Sequence, residues 1–134
     1  MNEQLQGFMA LKLLVEEEQG VKTLINQSDN NITIKPLNDI TIGDNFLQVT
    51  FRIDGEMLVL SWLYLLYESN GTGSKVVSWF REYCKANDLK VFKIANVAHD
   101  KLKMHSLSRK FGFAERQVSE DNSDYYLKIY NDEG

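Results

Sequence analysis

The 134 residues include one cysteine, one proline and two histidines. A lone thiol, Cys84, closes no internal disulfide, which points to a reducing compartment. His99 and His105 have no partners at ligand spacing, so no metal centre is expected. No apolar run reaches the ~18 residues of a membrane span. The start, Met1-Asn2-Glu3-Gln4, lacks a basic n-region, so no secretory signal is expected. Positive charge is also short: 15 Lys and Arg stand against 19 Asp and Glu, a net −4. That speaks against nonspecific nucleic-acid or anionic-membrane binding. What is present, 43% hydrophobic and 25% charged residues, suits one globular domain in the cytoplasm. At this length folding buries roughly two-thirds of the extended surface, so no covalent staple is needed.

Periodicity divides the chain into three parts. In 1–30, Leu5, Phe8, Leu11 and Val15 recur at helical spacing, with Met9 and Leu14 widening the stripe. They predict a helix over about 3–18 that stops near Gly20. Glu16, Glu17 and Glu18 fall at the helix end that the dipole disfavours for acids. They read as a solvated, fraying turn. Val21, Leu24 and Ile25 suggest a second, short helix, with a polar loop from Asn26 to Asn31.

In 31–98, Ile32 and Ile34 alternate with polar neighbours in a strand that Pro36 ends. Ile40-Thr41-Ile42 reads as a second small strand or a continuation of the first. Phe46–Ile53 is a further strand, with Leu47, Val49, Phe51 and Ile53 on one face. Asp54-Gly55 signals a hairpin into Glu56–Tyr67, too apolar throughout to have a wet face and so central to the sheet. Val76, Val77, Phe80, Tyr83 and Cys84 mark the buried stripe of a helix over Lys75–Ala86. Val91–Ala98 is the next strand, reached by a right-handed crossover.

In 99–134, Met104, Leu107 and Phe111 outline a helix that Gly112 ends. Phe113–Val118 and Tyr125–Tyr130 then form a hairpin across Glu120–Ser123. Together these elements predict a single α/β (α+β) domain over 1–134: a central mixed sheet with helices on both faces.

Between the central strand and its helix lies Glu68-Ser69-Asn70-Gly71-Thr72-Gly73-Ser74. Glycines turn tightly without a Cβ. The first N–H groups of a helix have no partner within it, and its dipole is positive there. Strand, glycine turn and helix start make an anion site for a phosphate, or a plain turn.

Several motifs now share an order. Gly71-Thr72-Gly73-Ser74 is similar to the second half of a Q/R-x-x-G-x-G/A pyrophosphate motif. Trp62-Leu63-Tyr64-Leu65 precedes it as an apolar strand, and Trp79-Phe80-Arg81-Glu82-Tyr83-Cys84 resembles the helix that follows. Lys110-Phe111-Gly112-Phe113 resembles the K-x-G-F end of the next helix, and Tyr125-Tyr126-Leu127-Lys128 a final strand. Over residues 57–130 the chain resembles the GNAT superfamily, the acetyl-CoA-dependent N-acetyltransferases.

The resemblance implies a GNAT-like sheet whose two parallel strands splay at a bulge. It implies acetyl-CoA as substrate, with its pyrophosphate on the N–H groups of Ser69, Asn70, Gly71, Thr72, Gly73 and Ser74. The pantetheine arm would meet main-chain groups of Leu63 and Leu65, and an amine of unknown identity would accept the acetyl group. The chain departs from the pattern at three places. Glu68 stands at the motif's Gln/Arg position. Ser108 falls where the family's Tyr acid would be, and Lys101 where an Asn is frequent. The family's first strand is missing, so the chain opens on the helices that border the acceptor site.

Candidate catalytic groups are therefore Ser108, Tyr126 as a replacement acid, and Glu56 as a base acting through water. The bland reading of Glu56 is a polar strand end. Lys75, Lys103, Arg109 and Lys110 are either phosphate partners or solvated cations. Trp62 and Trp79 read as core, Cys84 as a buried structural thiol, and His105 as exposed. The implied function is N-acetyl transfer. The alternative is a silent GNAT-like module that binds or regulates a protein. An open cleft near Ser108, Tyr126 and Leu63, with a carboxylate nearby, would favour the enzyme. A P-loop nucleotide site is disfavoured, since Ser74-Lys75 reverses the Lys-Ser/Thr order. Pairing of two copies along the edge after Tyr130 is a further expectation.

Overall fold

The computed structural model describes residues 3–130, apart from the Ser69 side chain. The chain opens with α1 (Glu3–Gln6) and α2 (Met9–Gln19), which ends at Gly20 in the left-handed region. One continuous helix was expected; a turn at Gly7-Phe8 divides it. Leu5, Phe8, Leu11 and Val15 are buried as their spacing requires.

The next segment is a strand rather than a helix. β1 (Thr23–Ser28) pairs antiparallel with β2 (Asn31–Pro36) through a tight turn in which Asp29 takes a positive φ. The expected loop at Asn26–Asn31 is therefore a hairpin. Ile40-Thr41-Ile42 forms no strand; Ile42 makes one isolated bridge to Asn45. β3 (Gln48–Asp54) and β4 (Met57–Tyr64) form the hairpin that Asp54-Gly55 announces. A 3-10 turn (Glu68–Asn70) leads into α3 (Thr72–Ala86), followed by β5 (Val91–Ala98), α4 (Leu102–Lys110), β6 (Ala114–Gln117) and β7 (Asn122–Lys128).

The seven strands order as β1-β2-β3-β4-β5-β7-β6, with β4 and β5 the parallel neighbours at the centre. No strand precedes the helices among the described residues; β1, which follows them, takes the sheet edge instead. β7 lies inside the sheet, so the edges are β1 and β6 and not the terminal strand. Residues beyond Tyr130 lie outside the described part.

The α/β class and the mixed sheet are as expected, but the helices share one face. Phe51 of β3 meets both Phe8, at 4.7 Å, and Phe80 of α3, at 4.8 Å. Phe92 of β5 meets Phe80 and also Phe113, just after α4. The reason is topological. The β4-α3-β5 and β5-α4-β6 crossovers run the same way across the sheet, and two right-handed crossovers in one direction put both helices on one side. On the opposite face Val59 is covered by its cross-strand neighbours Arg52 and Lys93, whose aliphatic stems take the place of a helix.

Candidate functional site

Two irregularities open the centre of the sheet. β4 and β5 pair only as far as Leu60 and Ile94. At that level β4 carries a bulge at Ser61, since Thr50 faces Trp62 while Phe51 faces Leu60. β5 carries another at Ala95-Asn96, between the pairs Ile94–Tyr125 and Val97–Ser123. Bulges bend and twist the strand that holds them. Two of them side by side turn the parallel strands apart. Asn96 sits at φ 55 and gives its N–H to the buried Asp124 carboxylate at 2.8 Å. Asp124 also pairs with Lys93 at 3.4 Å. Nothing in the sequence pattern signalled that role for Asp124.

The gap is a small cavity of about 80 Å³, walled by residues of β4, β5 and Lys101. It continues into a larger one of about 690 Å³, lined by Leu63, Leu65, Gly71, Gly73 and Ser74 on one side and by α4 residues on the other. Leu63, Tyr64, Lys101 and Met104 line both. The predicted glycine turn and the splayed strands thus share one continuous surface.

The turn is built as its sequence suggests. Gly71 caps α3 at φ 77. The first helical bond runs from the Lys75 N–H to the Gly71 carbonyl, so the N–H groups of Thr72, Gly73 and Ser74 have no partner within α3. Gly73 faces the cavity with little room to spare: a Cβ there would lie 3.3 Å from Leu107 Cδ2. Asn70 is exposed and Thr72 buried, neither on the cavity wall, while the Ser69 side chain lies outside the described part.

A buried glutamine that sequence reasoning missed holds this turn. Gln19 donates to the Tyr67 carbonyl at 3.1 Å and to Thr72 Oγ1 at 2.9 Å, and accepts from the Tyr67 N–H at 3.0 Å. It ties both ends of the loop to α2. The acidic run before it is not merely solvated. The Thr23 N–H, helped by Lys12 and the Thr23 hydroxyl, holds Glu16 down to about 2. Glu18 pairs with Lys75 at 2.9 Å, which turns that lysine away from the cavity.

Charge around the cavity is mixed. Glu68, at the position where the resemblance calls for Gln or Arg, pairs with Lys103 at 3.3 Å. Lys110 reaches Ser74 Oγ at 3.4 Å. Arg109 turns to Glu115 instead.

The three candidate catalytic groups are not brought together. Ser108 is buried and donates to the Met104 carbonyl of its own helix at 2.8 Å. Tyr126 lies on the helix-free face, with the Lys93 ammonium 5.3 Å from its ring. Glu56 sits in the hairpin turn at the opposite end of β4, about 23 Å from Leu63 at roughly 3.3 Å per residue. None of the three lines either cavity.

Two further expectations are overturned. Trp62 is 48% exposed, because the bulge turns it to the helix-free face. His105 is buried: its Nε2 donates to the Ala98 carbonyl at 2.9 Å, which leaves Nδ1 to accept from the Tyr125 hydroxyl. Burial pushes the Tyr125 phenol up and the Cys84 thiol up to about 12, so neither is poised to ionise. Cys84 is the inert core thiol its stripe suggested.

No family model and no curated protein matches the chain by sequence. Solved structures do match by shape. The PaiA N-acetyltransferase from Thermoplasma acidophilum, solved in complex with coenzyme A, is 12% identical at a TM-score of 0.57, over 96% of this chain and 80% of that one. The ribosomal-protein-S18-alanine N-acetyltransferase from Escherichia coli is 10% identical at 0.56, over 77% and 72%. A putative acetyltransferase of the GNAT family from Desulfovibrio desulfuricans is 10% identical at 0.56, over 75% and 71%. The fold is that of the GNAT acetyltransferases. In this GNAT-fold chain, no helix of the described residues is long and apolar enough to cross a membrane.

Proposed function

We propose that this chain binds acetyl-CoA along the continuous cavity and transfers its acetyl group to a primary amine. The observation that carries the reading is the junction itself: one surface joins unpaired N–H groups at the start of α3 to the gap between parallel strands. A pyrophosphate suits the N–H groups of Gly73 and Ser74, which line the cavity and have no partner within α3. Lys103 and Lys110, on the cavity wall, add charge for phosphate. The pantetheine arm runs along Leu63 and Leu65, where β4 has left its neighbour. Its thioester then faces the small cavity, and the amine attacks directly within a ternary complex.

Acyl transfer needs an unprotonated amine and a proton for the departing thiolate. Ser108, bonded back to its own helix, supplies neither. Tyr64 is the one phenol lining both cavities among the described residues, and it takes the acid role. The single buried thiol suits a reducing, cytoplasmic setting.

The test is release of free thiol from acetyl-CoA in the presence of a panel of primary amines, with Tyr64→Phe beside the parent. Turnover with at least one amine, lowered about a hundredfold in Tyr64→Phe, is expected. A second reading, a module that holds CoA without turnover, is favoured by the absence of any carboxylate from the small cavity's lining. CoA binding with no thiol release across the panel would decide for it.

A further inference from the structure

Lys101 stands where the two cavities meet and lines both. The other cavity lysines are engaged, Lys103 with Glu68 and Lys110 with Ser74. Lys101 has no carboxylate within ion-pair distance among the described residues. Its ammonium lies over the Tyr64 ring, 5.3 Å from the centroid. The root of the side chain is fixed. The Lys101 N–H donates to the Ala98 carbonyl at 2.9 Å, the carbonyl that also accepts from His105, and the Lys101 carbonyl receives the His105 N–H at 3.1 Å. A rigid anchor thus presents a flexible amine at the mouth of the gap between β4 and β5.

We infer that Lys101 accepts an acetyl group from acetyl-CoA held in its own chain. The inference rests on the acetyl-CoA reading above. The unprotonated Lys101 Nζ attacks the thioester carbonyl. A C–N bond forms, the C–S bond breaks, CoA leaves as a thiolate that takes up a proton, and the amine's proton goes to solvent. The chain ends with a neutral acetamide at position 101 and one free CoA. The modification removes the charge that sits over Tyr64 and fills the small cavity, so it is self-limiting: one acetyl group per chain, after which the entrance for other amines is narrowed.

The experiment is incubation of the full chain with acetyl-CoA, followed by intact-mass and peptide mass spectrometry over time. Expected is one acetyl group on Lys101, at a per-chain rate independent of protein concentration and about tenfold or more above that of any other lysine, as proximity requires. Lys101→Arg should lose that acetyl group. Acetylation spread evenly over surface lysines, an unchanged Lys101 rate in the urea-unfolded chain, or a per-chain rate that rises with protein concentration would overturn the inference. Calorimetry with CoA on the same sample separates the two failures. CoA binding with Lys101 unmodified defeats this inference alone, whereas no CoA binding defeats the reading beneath it.

Discussion

Gln19 makes a quantitative test of how the glycine turn is held. Gln19 is 1% exposed, and its carboxamide makes three hydrogen bonds, two to the main chain of Tyr67 and one to Thr72 Oγ1. Gln19→Met keeps the volume and removes all three. At about 1 kcal/mol net for each bond, and more where the abandoned partner stays buried, the chain should lose about 2–4 kcal/mol of stability. Thr72→Val, which removes one bond, should lose about 1 kcal/mol. The second effect is on the ligand. With the clamp gone, the Tyr67–Thr72 loop is ordered at binding instead of at folding, and an ordering cost of about 1.4 kcal/mol weakens CoA tenfold. Urea unfolding gives the first quantity and calorimetric titration with CoA the second. If Gln19→Met unfolds at the parent's urea midpoint and binds CoA with the parent's affinity, the clamp does not hold the turn and the reasoning fails.

Other expectations follow from the same geometry. The Thr23 N–H holds Glu16 at about 2, below its ordinary 4.5, so its contribution is full above pH 4.5 and is lost as pH falls through about 2. With allowance for solvent screening this is worth about 2 kcal/mol, and unfolding measured across that window should show a shallower pH slope in Glu16→Gln than in the parent. Gly71→Ala should cost about 1 kcal/mol of stability, since φ is 77, which urea unfolding would register.

The strands and helices with strong periodicity were legible: β3 and β4 from alternation around Asp54-Gly55, β5 over Val91–Ala98, and α3 from its apolar stripe. β1 was not. Val21, Leu24 and Ile25 happen to match a helical spacing, and Asn26-Gln27-Ser28 has the polarity of a loop because β1 is a sheet edge with little to bury. That α3 and α4 share one face follows from strand order, which no local pattern reveals. At the site, the glycine turn could be read because glycine marks a backbone need. The bulges at Ser61 and Asn96 could not, since they arise from pairing across strands, and they decide that Trp62 is exposed. Ser108 and His105 are likewise oriented by α4's register on the sheet, with Ser108 bonded to Met104 and His105 to Tyr125. Gln19 and Asp124 are polar residues in elements of ordinary pattern. Their roles exist only through partners far along the chain, at Thr72 and Asn96.

The central claim is that the turn before α3 and the gap beside β4 form one CoA site. Calorimetric titration of the parent chain and of Gly73→Glu with CoA tests it most directly. At Gly73 even a Cβ would come to 3.3 Å from Leu107, and the longer side chain carries a negative charge onto the cavity wall. The account predicts micromolar binding by the parent and none by a folded Gly73→Glu. Equal binding by both, or no binding by the parent at millimolar CoA, would contradict it.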